Sequence, residues 1–223
     1  MKRQALELHS VEMEKAFLFG VPSENTGTNG KPERTTMGLI PAIKGSYISG
    51  VDQVGIVADY PSDPGTAYTG QTWLAAGELW LDNNLEAIFR FGSTDKLAFC
   101  GSGALLGIQR LIKNSGHFEF SAATTDYGIK VIRWTTAFGT LNLITHPLFS
   151  YEATTRNCMV IFEPKDMKYR FIDDTMFKAD SQLKEGVWTG RDGIKEEFLT
   201  EAGFEFHHPN GWAYLTGIGS DHP

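Results

Sequence analysis

Two cysteines in 223 residues, Cys100 and Cys158, are too few for a disulfide framework, and no Cys-x-x-Cys spacing points to zinc. Both lie in apolar, strand-like segments and read as buried free thiols, although they could pair in principle. No apolar run approaches the roughly 18 residues of a membrane span, and no charged-then-apolar leader opens the chain. The sequence therefore reads as that of a soluble protein made in the cytoplasm. Basic runs are missing too. Lys and Arg number 20 against 27 Asp and Glu, a net charge of −7 that argues against charge-driven gripping of nucleic acid. No Gly-Lys-Ser/Thr exists to make a P-loop, and no Gly-x-Ser-x-Gly to hold a nucleophile. What is present is ordinary: 41% hydrophobic and 21% charged residues, with 24 glycines and 12% aromatics that lean toward sheet and turns. A chain of this length can bury roughly 70% of its unfolded surface, enough for a real core.

The opening stretch, Met1 to Gly20, has helical periodicity: Leu6, His9, Met13, Ala16 and Gly20 recur at steps of three and four and stack on one face. Gly20 is placed to take a left-handed cap and Pro22 forbids continuation. No capping residue precedes the stripe, so the helix reads as one whose preceding chain is missing and whose apolar face later segments must cover. Residues 23–36 hold no apolar side chain and many turn formers, which predicts an exposed loop. A short apolar patch, Met37 to Ile43, leads through Gly45 and Gly50 to a strand around Val54–Val57 and a second loop, PSDPGTAYTG, at 61–70. Gln71 to Phe91 is helical again, with Leu74, Gly77, Leu81, Leu85 and Ile88 on one face, Trp73 and Trp80 flanking it, and Gly92 as the stop. Lys96–Cys100 is a short strand. It runs into GSGALLG and a helix from about Gly103 to Asn114, capped by Ser102 and ended by Gly116. Ile129–Trp134 and TLNLITHP make a hairpin across Ala137-Phe138-Gly139, Met159–Phe162 a buried strand stopped by Pro164, and 168–174 an alternating strand. FEFHH and WAYLTGI, joined by Pro209-Asn210-Gly211, read as a last hairpin. Strands and helices mix without βαβ regularity, which favours α+β.

Candidate chemistry is thin. Gly101 to Gly107 follows a strand and opens a helix, where backbone N–H groups could cradle a phosphate. Its third glycine falls out of register for a dinucleotide fingerprint, and no parallel strand or ribose-binding acid clearly follows. A nucleotide-binding or sugar-acting α+β enzyme built on this turn is the alternative reading; close packing of a strand-to-helix turn is the plainer one. His207 and His208 are adjacent and would point to opposite faces of a strand, so they cannot chelate one ion together. His146 before Pro147 reads as structural. Asp173-Asp174 and Glu196-Glu197 read as solvated pairs rather than an acid and a base. No catalytic residue, metal site or cofactor is expected.

The order of LELHSVEMEKAFLFG, SENTGTNGKPERTTMGL, KLAFCGSGALLGIQRLI, YGIKVIRWTTAFGTLNLITHP and EEFLTEAGFEFHHPNGWAYLTGI resembles major capsid proteins of tailed bacteriophages, the podovirus-like subgroup in particular. The resemblance runs over nearly the whole chain. It implies the tailed-phage major capsid protein fold, in which a spine helix plus β-hairpin form a peripheral domain and a mixed α/β axial domain is inserted. By that resemblance, 1–44 and 169–223 are peripheral, with the spine helix at 1–20 and a terminal β-hairpin, and 45–168 are axial. It further implies a structural subunit of an icosahedral shell in the virion. Its partners would be copies of itself in pentamers and hexamers, scaffold, portal or decoration proteins, and packaged DNA by weak non-specific contact, with no membrane. Relatives carry an arm and an extended loop before the spine helix, whereas only Met1-Lys2-Arg3 precede it here, so the chain reads as lacking both. Subunit contacts are expected at Leu6, Met13 and Phe17 on the first helix and at Pro61, Asp63, Pro64 and Tyr68 of the second loop, the expected axial tip.

Overall fold

The computed structural model describes residues 2–27, 30–45, 54–115, 124–126, 129–178 and 196–222. Their secondary structure is mixed α+β, and they form two compact units, Met1–Leu39 with Lys168–Glu205 and Ile40–Met167 with Phe206–Pro223. The sites expected at Gly50 and Gly116 lie outside the described residues.

The first unit is a long helix on a long ribbon. Helix α1 (Lys2–Phe19) realises the opening periodicity. Its end differs from expectation: Gly20 has no positive φ, and its N–H still bonds to Ala16 O at 2.8 Å. Glycine is needed there for close approach, since a Cβ would run into the carbonyls of Ala16 and Thr36. The loop after α1 is not wholly irregular. Short strands β1 (Glu24–Thr26) and β2 (Pro32–Arg34) pair antiparallel, every residue of both exposed.

The cover that α1 requires comes from 168–205. Strand β9 (Met167–Lys178) pairs with β10 (Glu197–Phe206), with Arg170 against Glu205 at 2.6 Å and Thr175 against Thr200 at 2.8 Å, an antiparallel progression. Side chains alternate across a strand, so Tyr169, Thr175 and Phe177 with Phe198, Thr200 and Phe204 turn toward α1. Contacts follow the helix along its length. Lys2 pairs with Glu196 at 3.0 Å and lies over the Phe177 ring, His9 bonds to Thr200 at 2.8 Å, and Phe17 meets the Phe204 ring at 4.5 Å.

The second unit is built on a seven-stranded sheet in the order β3-β11-β8-β4-β7-β6-β5. Its strands are β3 (Ile56–Asp59), β4 (Asp95–Cys100), β5 (Thr124–Asp126), β6 (Ile129–Thr135), β7 (Thr140–Thr145), β8 (Met159–Phe162) and β11 (Ala213–Thr216). The β6–β7 hairpin forms as the sequence predicts. The last hairpin does not. β10 pairs with β9 in the other unit, while β11 lies parallel to β3 and antiparallel to β8, so the tail from Phe206 onward belongs to the second unit. Pro209–Gly211 is a 3-10 turn rather than a two-residue hairpin loop, and His208 before it is left-handed at φ 49°. A further difference concerns β4, whose parallel neighbour is β7, later in the chain and across a helix.

Helices α3 (Trp73–Phe89) and α4 (Ser102–Ser115) pack on one face of this sheet, reached by Ala98 and Cys100 of β4, Met159 and Ile161 of β8 and Ala213 and Leu215 of β11. The buried face of α3 centres on Trp73, Gly77, Trp80, Leu81 and Leu85, with Leu74 left 47% exposed. The tryptophans expected to flank the core are thus its centre. Gly77 is what permits this, because a Cβ there would strike the Trp73 ring. Gly92, at φ 82°, ends the helix as expected. Two short helices, α2 (Leu39–Lys44) and α5 (Pro147–Tyr151), complete the fold. His146 caps α5 by accepting the Leu148 N–H on Nδ1, which bears out its structural reading.

Candidate functional site

The residues expected at subunit contacts fall into two groups with different surroundings. On α1, Leu6 is 40% exposed, while Met13 and Phe17 are half-buried, Phe17 being held by Phe204 and Tyr169 of the ribbon. The most exposed apolar residues of α1 are instead Leu8 and Val11, a pair the sequence reading missed. They share a helical stripe one turn apart and make no part of the periodic face that singled out Leu6 and Met13. The ribbon adds a second apolar surface: Ile172 is 83% exposed and Met176 39%, on the face of β9 opposite the one that α1 occupies. This is much apolar area for one element to leave in water.

The loop 61–70 is anchored rather than dangling. Asp63 accepts the Trp80 indole N–H at 2.8 Å and the Gly65 N–H at 2.9 Å, and Tyr68 is buried in the core, its hydroxyl accepting from Asn83 at 2.6 Å. Tyr60, fully buried, meets the rings of Trp73 and Trp80 edge-on at 5.0 and 5.6 Å. The tail fastens the same loop. Asp221 accepts the Trp73 N–H at 2.9 Å, supplying the cap that Thr72 does not, and His222 bridges the Gly70 N–H and Asp63 O. Of the four loop residues singled out, Pro61, Asp63 and Pro64 retain surface, and Tyr68 serves the interior.

The turn at Gly101–Gly107 has its amides already committed. Gly101 N–H donates to Cys158 O, Ser102 N–H to Ser150 Oγ, and the N–H groups of Gly103 and Ala104 both to Arg156 O, at 3.0 to 3.1 Å. A phosphate would have to displace the chain itself. The glycines are needed for packing: side chains at Gly101 and Gly103 would collide with the backbone of Arg156 and the amide of Asn157, and one at Gly107 with Gly219. The cradle of a nucleotide enzyme is absent from this turn.

One polar cluster was not legible in the sequence. Lys96, 1% exposed, donates to Glu163 Oε1 at 2.6 Å, Phe91 O at 2.9 Å and Gly211 O at 3.1 Å, using all three ammonium hydrogens. Glu163 also accepts the Ser93 N–H at 2.8 Å and pairs with Lys165 at 2.8 Å. Burial alone would raise its carboxyl; the bonds from Lys165, Lys96 and Ser93 outweigh that and hold it down at about 2. The cluster ties the end of α3, strand β4, the end of β8 and the turn before β11. Its geometry is that of a closed staple, with all three Lys96 ammonium hydrogens taken up by protein acceptors. Nothing in residue type or spacing flags Lys96, which sits in an alternating strand at a position that reads as solvent-facing.

Both thiols are free and buried, and burial pushes Cys100 up to about 12. Cys158 is also raised by burial, against the bond it receives from Tyr214 O–H at 3.4 Å. His207 and His208 lie beyond the end of β10 rather than on a strand. Asp173 and Asp174 are exposed within β9, and Glu196 pairs with Lys2. Among the described residues, no group of three or more His, Cys, Asp or Glu is placed to hold a metal ion, and no helix is long and apolar enough to cross a membrane.

A family model described as SU10 major capsid protein matches residues 1–219. A major capsid protein of Pseudomonas phage PaMx41 is 23% identical over 233 aligned positions, which take in 97% of this chain and 52% of that protein. The chain spans about half the length of the relative it matches.

Proposed function

From the premise that the chain belongs to the SU10 major capsid protein family, we propose that it is a structural subunit of a bacteriophage shell, acting through repeated contacts between copies and without a catalytic centre. The observation that carries this is the family match along residues 1–219, in a chain whose Gly101–Gly107 turn is filled by its own backbone. In this reading α1 is the spine helix and, with the β9–β10 ribbon, makes the peripheral domain. The sheet unit makes the axial domain, with the loop 61–70 directed to the capsomer axis. The anchoring of that loop by Trp80, Asn83, Asp221 and His222 suits such a place, since a contact repeated around an axis gains from a loop ordered in advance. The apolar surfaces at Leu8 and Val11 and at Ile172 and Met176 are where copies would bury area.

The assembled form would be pentamers and hexamers closing into an icosahedral shell in the virion. A net charge of −7 fits a wall that encloses DNA and touches it weakly. Scaffold, portal and decoration proteins are the further partners of this reading. Negative-stain microscopy with light scattering tests it, on this chain and in parallel on the reading frame extended upstream of Met1. Rings or closed shells from either form are the expected result. Monodisperse monomers from both would overturn it.

A further inference from the structure

Arg3, Arg34, Arg90 and Arg170 each sit against a glutamate, whereas Arg110 and Arg156 form no ion pair among the described residues. Both line one concavity of about 330 Å³ in the sheet unit, together with Leu106, an exposed apolar residue of α4. In a chain with seven more acids than bases, two unneutralised guanidinium groups from separate elements at one hollow are a site for paired carboxylates. The β9–β10 ribbon carries such a pair. Its register, fixed by Arg170 against Glu205 and Thr175 against Thr200, sets Asp174 directly opposite Glu201 on the face turned away from α1. Both are exposed, and neither has a cationic partner among the described residues. Like charges directly opposite, with Cβ atoms about 5 Å apart, destabilise a strand pair, so the ribbon keeps a repulsion that cations from outside would relieve. Ile172 and Met176 flank Asp174 two residues to either side and leave apolar surface on the same face.

We propose that the hollow at Arg110 and Arg156 of one copy receives the outer face of the ribbon from a second copy. Asp174 and Glu201 meet the two guanidinium groups, and the flanking Ile172 and Met176 pack against Leu106. This match selects a second copy over DNA: a phosphate backbone offers charge to the arginines but nothing apolar to Leu106, and it leaves the facing carboxylates of the ribbon unrelieved. Hollow and ribbon are different surfaces, so the contact is heterologous and repeats from copy to copy. The inference rests on the shell-subunit reading above and names residues through which its copies meet.

Charge reversal on the full chain tests it, with oligomers followed by mass photometry and folding by near-ultraviolet circular dichroism. R110E/R156E and D174R/E201R should each raise the concentration needed for assembly at least about ten-fold. The neutral R110Q/R156Q should show a smaller rise in the same direction. The four-fold swap in one chain should restore assembly, and the two reversed proteins should associate when mixed at concentrations where neither does alone. Assembly of either reversed protein at the wild-type concentration overturns the contact and leaves the shell reading standing; if R110E/R156E also loses retention of duplex DNA in a gel shift, the hollow belongs to phosphate instead. A natively folded four-fold swap that stays monomeric overturns the contact too, as does a swap that assembles while the mixture does not, since the pairing then lies within one chain. A wild-type protein that never assembles overturns the shell reading and this contact together.

Discussion

Removing the carboxylate of the buried staple should destabilise the sheet unit by about 3 kcal/mol at neutral pH and make its stability less dependent on acid. The Glu163 carboxyl is held at about 2 against an ordinary 4.5. At 1.36 kcal/mol per unit, that depression corresponds to about 3 kcal/mol favouring the folded state. Because the folded value is the lower one, the contribution is complete above pH 4.5, declines as pH falls below that value and is gone near pH 2. Glu163→Gln keeps the shape but leaves the Lys96 ammonium buried with carbonyl partners and no counter-charge. Lys96→Met should cost more, about 3–5 kcal/mol, since it strips donors from Phe91 O and Gly211 O as well as from the carboxylate. Replacing both, as Lys96→Met with Glu163→Leu, should cost less than Lys96→Met alone, because no uncompensated charge remains. Urea titrations read by tryptophan fluorescence report on this unit, where Trp73, Trp80, Trp134 and Trp212 are buried. The gap between wild type and Glu163→Gln should close as the titrations are moved from pH 6 to pH 2. A gap that stays constant over that range, or is absent at pH 6, would refute the reasoning.

Phe17→Ala should loosen α1 on its ribbon by about 2 kcal/mol, less than for a fully buried ring, seen as faster hydrogen exchange of α1 amides with the sheet unit unchanged. Asp221→Ala removes the cap on Trp73 N–H and should cost about 1 kcal/mol, with added mobility in residues 61–70. Gly103→Val should lower the melting temperature because its side chain meets Asn157 and Arg156, while titration with ATP gives no saturable heat for either protein. Cys100 and Cys158 should resist an aromatic disulfide reagent at pH 8 in the native state and both react in urea, since burial keeps each in the thiol form.

Local pattern carried most elements and failed where the deciding partner was distant. The periods of α1, α3 and the β6–β7 hairpin are written in adjacent residues, and so is the stop at Gly92. The face of α3 was misjudged because counting leucines weighs Leu74 above Trp73, and only the space at Gly77 shows where the indole goes. The exposed ribbon β1–β2 was hidden by turn-forming composition. Of the expected contact residues, Tyr68 turned inward because its hydroxyl finds Asn83, a residue in the middle of α3. The staple was illegible for the same reason: Lys96 and Glu163 are far apart in sequence, and each looks like a surface charge alone.

FEFHH and WAYLTGI looked like neighbours because a Pro-Asn-Gly turn joins them, yet they finish in different sheets. Strand β11 lies between β3 and β8, so the sheet stays divided until residues 213–216 are made and inserted. The same segment brings Gly211 O to Lys96 and Asp221 to the start of α3, so the staple, the α3 cap and the loop 61–70 all draw on it. Non-local closure of this kind is slow relative to helix and hairpin formation. The loop 61–70 is thus held from two directions, by Trp80 and Asn83 of α3 and by Asp221 and His222 far along the chain, so its order depends on contacts that local sequence does not show.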